Sequence, residues 1–381
     1  MLWWNSLRLK AGSAQTRCKA IESLDPNESK RSRELIRASL QDDDVRVRCA
    51  AVRAFEQAQD DDAATTLWAA LHDPSSEVRE TAAGVLGRAG DGRSFYHLSI
   101  LLKDGSPGVR TASATALKRL GWKPSTSEEV ALFDVALGNA HAASFVGPAA
   151  VSALVTELKN DTGCSRRAAA EALENLDDPR ATPALLDAVR DKEATVRVSA
   201  IHALARDGSG EVTSALLELL KDADPRVKLA TAEVLSRRFD PAFAPNFRPL
   251  LVDSNFEVRI TAVQFLGRIQ DPDLVKAVLP LLVDSDSDVR QAAAQALGNL
   301  GGEAAVERLV IAMTDEERAV RQAAEMALNR IDPYWPASPA ARRMAQKLES
   351  IMNDERGWVR SAATQVLTRL RAPDVTYRTL A

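Results

Sequence analysis

The chain is predicted to be an all-α stack of two-helix units, about twelve in number, from three observations. A sequence pattern returns every 31 residues, each return carries a helical apolar period, and only 5% of the 381 residues are aromatic while 45% are hydrophobic. In its fullest form the pattern reads Asp-x4-Val-Arg-x2-Ala-x3-Leu. With its basic residue as anchor, the series runs Arg17, Arg48, Arg79, Arg110, then Arg166, Arg197, Lys228, Arg259, Arg290, Arg321 and Arg360. Six positions before each anchor stands a polar residue, except for Ala11 before Arg17. Repeats of this length mean stacked supersecondary units that share one continuous core, so the chain is expected to be a single solenoid over residues 1–381.

Within one unit, Leu274, Val275, Val278, Leu279, Leu281 and Leu282 give the apolar period of a first helix, A. Asp284-Ser-Asp-Ser-Asp288 interrupts it with residues suited to N-cap and first-turn positions, and Val289 to Leu300 resumes it as helix B. On helix B the positions one before the anchor and three, six and seven after it form the core side, as Val289, Ala293, Ala296 and Leu297 do. The second and third positions after the anchor are small, as in Thr81 and Ala82 or Ser199 and Ala200, which permits close approach of neighbouring backbones.

The anchors and turn acids read as a structural ladder: Asp73 with Arg79, Asp191 with Arg197, Asp253 with Arg259, Asp284 with Arg290, Asp315 with Arg321. A guanidinium there can donate to the carboxylate and to orphan turn carbonyls in its own or the next unit. A ligand-binding row is the competing reading, and the presence of the motif in every copy speaks against it.

Runs such as Asp284-Ser-Asp-Ser-Asp-Val-Arg-Gln-Ala-Ala-Ala-Gln-Ala-Leu-Gly-Asn-Leu-Gly301 resemble HEAT repeats of the short prokaryotic type. Similar repeats occur in phycocyanobilin lyase subunits and in designed helical-repeat binders, and the likeness extends over almost the whole chain. The fold expectation is therefore a right-handed alpha-alpha superhelix, a HEAT-like solenoid. The resemblance also implies that the B helices line a concave surface. It does not select a function, because one fold hosts many.

Four segments depart from the register. Residues 1–29, with Trp3 and Trp4, read as an N-terminal capping repeat, and residues 371–381 as a frayed tail. Residues 122–147 hold a degenerate repeat: either a kink exposing Trp122 or Phe133 for docking, or a decayed unit whose aromatics fill space left by missing helix. Residues 332–339 form a Pro-rich loop insertion, in which Tyr334 and Trp335 are either a contact site or a cover over the end of the stack.

Positions one, five and nine after the anchor line the side of helix B away from the core. Position one is aliphatic in three consecutive units, Val198, Leu229 and Ile260, with Ile201 and Val263 three residues further on and a polar rim of His202, Glu233 and Gln264. Such a patch on a wet face marks a partner site, unless tighter curvature buries these residues against each other. Position nine is arginine in Arg88, Arg119, Arg206, Arg237, Arg268, Arg330 and Arg369, which form either a basic stripe for acidic peptide or phosphate, or cations at helix C-termini.

The formal charge of −4 opposes general attraction to nucleic acid or anionic membrane, and no apolar run approaches a membrane span. Three cysteines, Cys18, Cys49 and Cys164, suggest a reducing compartment, and Cys18 and Cys49 sit on neighbouring helices too far apart to be joined. The default address is cytoplasmic. His72, His97, His141 and His202 occupy unlike positions, and no zinc spacing, phosphate loop or nucleophile elbow occurs. The di-iron HEAT hydroxylases bind metal through His-Glu pairs, and those are missing too. The expectation is a non-catalytic protein-binding scaffold without cofactor or metal, whose partner is another protein or an acidic peptide. The alternatives are a bilin-holding lyase-type subunit and a phosphate or nucleic-acid binder using the arginines.

Overall fold

A computed structural model of the chain describes residues 8–10, 12–58 and 60–371; Trp3, Trp4, Ala11 and the tail beyond Arg371 lie outside them. The described residues are helical pairs joined by turns, with no strand among them. They divide into two compact units, residues 1–206 and 207–381.

In the first unit, A and B helices alternate as Lys30–Ala38 with Val45–Ala54, Asp61–Ala70 with Ser76–Ala89, and Phe95–Ile100 with Pro107–Arg119. After the irregular segment come Val151–Glu157 with Gly163–Leu176, then Thr182–Ala188 with Ala194–Ala203. The second unit continues with Gly210–Leu219 and Pro225–Arg238, and its last regular pair is Glu303–Ala312 with Arg318–Ile331. Several A helices finish in a tighter 3-10 turn, as Asp273–Val278 does at Leu279–Val283. Pro280 lies there and lacks the N–H an α-helix would need.

The predicted core positions are buried: Val289, Ala293, Ala296 and Leu297 are each 3% exposed or less. The buried stripe is wider than one amphipathic face, because B helices within a unit also pack against neighbouring B helices, as Ser76–Ala89 does against Val45–Ala54 and Pro107–Arg119. The position four after the anchor lies on that flank and is buried as Ile21, Val52, Ala83, Ala114, Ala170, Ala232 and Ala294.

Close approach of B helices is set by a glycine eight after the anchor. A Cβ on Gly87, Gly267 or Gly298 would lie 2.6, 2.5 or 2.8 Å from the Cβ of Ala116, Ala296 or Ala327 in the next repeat. Only a residue without a side chain permits that spacing.

The irregular segment forms a helix Ser127–Ala136, started by a capping box between Thr126 and Glu129, and a short helix Ala140–Ser144. Trp122 and Phe133 meet edge to face at 5.5 Å and pack against the core of the preceding repeats. Both aromatics are half-buried, so part of their surface packs on the core and part remains exposed. Phe145 is the exposed aromatic of this segment. In the Pro-rich insertion, Trp335 is 2% exposed and its Nε1 donates to Asn329 Oδ1 at 3.2 Å, whereas Tyr334 faces solvent.

Candidate functional surface on the B helices

The turn acid organises each repeat. Asp73 Oδ1 accepts the N–H of Ser75 at 2.8 Å, and Asp104 accepts that of Ser106 at the same distance, which sets the residue that begins helix B. The anchor guanidinium then spans two repeats. Arg79 donates through Nη1 to the carbonyl of Asp73, in its own turn, at 2.8 Å. Through Nε and Nη2 it grips the carboxylate of Asp104 in the next turn, at 2.8 and 2.9 Å.

The same bidentate step joins Arg17 to Asp42, Arg48 to Asp73, Arg166 to Asp191, Arg259 to Asp284 and Arg290 to Asp315. Lys228 makes it singly with Asp253. Thus the ladder pairs these anchors with the acid 25 residues ahead, while for Arg48, Arg79, Arg259 and Arg290 the turn acid six residues before supplies a carbonyl. Arg321 departs from this: it donates to the carbonyls of Asp315 and Glu316 and faces Trp358, while Asp354, displaced by the loop insertion, binds Arg356.

The carboxylates feel these contacts. Burial pushes the Asp104 carboxyl up, but Arg79 and the Ser106 N–H outweigh it and hold the group below the usual carboxylate range. Burial likewise opposes, without cancelling, the lowering of Asp191 by Arg166, of Asp253 by Lys228 and of Asp284 by Arg259. In exposed turns, Arg46 and its own N–H hold Asp44 down to about 2.

On the outward face, Val198, Leu229 and Ile260 are half-buried. Leu229 and Ile260 lie on Pro225–Arg238 and Phe256–Leu266, neighbouring B helices of the second unit; Val198 belongs to the first. Ile201 and Val263 are completely buried and do not belong to a surface patch. They occupy the flank four after the anchor, where each helix meets its neighbour. His202 and Glu233 are half-buried and Gln264 is exposed, as a rim requires.

The seven column arginines are exposed, and most reach back toward the preceding repeat. Arg88 grips Glu56 at 2.5 and 3.0 Å, Arg206 stands 3.5 Å from Asp177, and Arg369 reaches Glu325 at 2.5 Å. Arg237 faces Glu233 at 4.0 Å on its own helix. Arg268 donates to the Ser236 carbonyl at 3.0 Å and lies 3.9 Å over the Phe239 ring, and Arg330 donates to Asn299 Oδ1. Arg119 adds its field to that of Arg88 on the Glu56 carboxyl. Much of this column is therefore tied to helix ends, as cations at C-termini should be.

Among the described residues no group of three or more His, Cys, Asp or Glu side chains could hold a metal, and no helix is long and apolar enough to cross a membrane. Cys18, Cys49 and Cys164 are free thiols. His97 stacks on Trp68 at 4.6 Å, a packing role.

These features define a stacked helical-repeat protein whose recurring anchor and turn charges hold repeats together. The chain belongs to the HEAT-repeat family: the model for HEAT repeats matches residues 6–83, 66–132, 151–236, 182–255 and 244–329. No curated protein matches it. Among solved structures, an engineered protein is 20% identical, with 97% of this chain and 99% of that one covered and a TM-score of 0.42. YIBA of E. coli is 18% identical over 76% of this chain and 97% of its own, with a TM-score of 0.36. A chain from a structure of Kap95p with RanGDP is 13% identical, covering 99% of this chain and 62% of that one, with a TM-score of 0.40.

Proposed function

We propose that the chain is a non-catalytic scaffold that binds a partner protein through the outward face of its B helices. The observation that carries this reading is the contrast between two sets of residues. The ladder charges are engaged inside the stack, while Leu229 and Ile260 keep apolar surface in contact with water on adjacent helices. Val198 offers the same chemistry on the first unit. Glu233 and Gln264 would form the polar rim on the second unit, and His202 the polar neighbour of Val198 on the first. Free thiols suit a reducing compartment, so we place the scaffold in the cytoplasm. The test is substitution of Leu229 and Ile260 by Glu: partner capture is expected to be lost while the helical signal and melting are kept, and unchanged capture would remove this face from consideration.

A bilin-lyase-type subunit of the phycocyanobilin lyase kind is the second reading, favoured by one feature: a cleft of about 810 Å³ in the second unit that carries Arg268 and Arg330, suitable partners for propionates. Mixing the protein with a linear tetrapyrrole either shifts the pigment's absorption or leaves it unchanged. Nucleic-acid binding through the same arginines would show a steep fall of affinity with salt.

A further inference from the structure

The column at position nine is not uniform in its electrostatics. Arg88, Arg206, Arg237 and Arg369 each face a carboxylate. Arg268 and Arg330 do not: their partners are the Ser236 carbonyl and the Asn299 amide oxygen, both neutral. These two guanidiniums line the same cleft of about 810 Å³, and no Asp or Glu lines it. That sets them apart from Arg88, Arg206, Arg237 and Arg369 of the same column, which are met by acids.

Gly267 and Gly298, where consecutive B helices come together, lie along the floor of the cleft. Gly302, held at φ +93°, borders it, and Asn299 stands between the two arginines at the same repeat position. Carbonyls at helix C-termini would repel an anion, but Arg268 covers that of Ser236. Met326, 61% exposed, lines an adjoining depression of about 320 Å³ that shares Gly298, Asn299 and Arg330, and it supplies an adaptable apolar contact.

We propose that this cleft is an anion-selective groove for an extended acidic peptide segment, with Arg268 and Arg330 each receiving a carboxylate of the partner. The proposal rests on the scaffold reading and names the partner's chemistry. Helices of neighbouring repeats pack about 8–10 Å apart, so arginines two repeats apart are separated by roughly 16–20 Å. An extended chain rises about 3.3 Å per residue, which places the two acidic positions about five to six residues apart, and of these the even spacing of about six keeps them on one face. A polyphosphate chain would fit the charges but would leave the exposed apolar surface of Met326 unused.

The test uses the full chain and a fluorescent peptide of about a dozen residues with glutamate pairs about six residues apart. Anisotropy is expected to show binding that weakens with salt and disappears for the Glu→Gln peptide. Affinity should fall at least about tenfold for R268Q/R330Q, since two charge-assisted contacts are removed. The variant R93Q, whose arginine is engaged by Asp91 and Asp61, is expected to bind as the unaltered protein does. Equal affinity in R268Q/R330Q, absence of peptide binding, or preference for a single-stranded oligothymidylate over the peptide would overturn the proposal. If partner capture falls with L229E/I260E but not with R268Q/R330Q, the scaffold reading stands and the acidic groove fails; if neither pair affects capture, both fail.

Discussion

Arg110 Nη2 donates to Glu157 Oε2 at 2.8 Å, with both side chains less than a tenth exposed. This pair replaces the usual rung where the irregular segment intervenes. At position 160 the turn carries Asn, which cannot balance a guanidinium, and its Nδ2 instead donates to Glu157 Oε1 at 2.6 Å. The charge has moved three residues back along the chain and the buried arginine is still matched. Removing one partner of a buried pair leaves an unpaired charge, which costs about 3–5 kcal/mol. Glu157→Ala should lower unfolding free energy by about that much in denaturant titration. A loss below about 1 kcal/mol would mean that the pair is solvent-relieved.

Two glycines separate packing from helix propensity. Gly267→Ala, at the end of its helix, drives a methyl into Ala296, so destabilisation of about 1–3 kcal/mol is expected. Gly84→Ala meets nothing closer than the Arg88 guanidinium at 3.4 Å and should stabilise by about 0.5–1 kcal/mol. Thermal melting of the two variants should therefore move in opposite directions.

The ladder predicts an acid limb of stability. Asp104, Asp191, Asp253 and Asp284 are held below the usual carboxylate range in the folded chain. A depressed folded value means that the unfolded chain binds protons first, so the stabilisation is complete above the unfolded value, about 3.9, and is lost as pH falls through the folded one. Melting temperature should be level from about pH 7 to 5 and drop below about pH 4. Arg290→Gln, which removes the partner of Asp315, should also reduce stability at neutral pH by about 3 kcal/mol, because a mostly buried carboxylate loses its match. Urea midpoints measured at pH 7 would check this.

The repeat, the core positions and the need for an Arg–Asp ladder were legible in the sequence because each is a fixed-interval consequence of stacking. The direction of the rung was open: Arg79 binds the carboxylate of Asp104, and spacing alone does not distinguish it from Asp73. Ile201 and Val263 looked like surface because one helix was weighed against one core; in a stack each B helix has neighbours on both sides, and the flank is buried as well. Gly87, Gly267 and Gly298 were legible in principle as small residues eight after the anchor, but the alternation with Lys118, Glu174 and Ser236 hides the signal. That Trp335 is buried while Tyr334 faces solvent depends on how the loop folds over Asn329, which no local pattern encodes. Likewise, the absence of a carboxylate beside Arg268 and Arg330 arises from side chains a full repeat away.

The most direct test of the central claim, that apolar surface on the outward face of the B helices recruits a protein, is comparative capture from the native lysate. The full chain and its L229E/I260E variant would be used as baits, with bound proteins quantified by mass spectrometry and folding checked by melting. The account predicts a partner enriched on the unaltered chain and lost on a variant that melts as a folded helical protein. An identical set of captured proteins on both baits would contradict it.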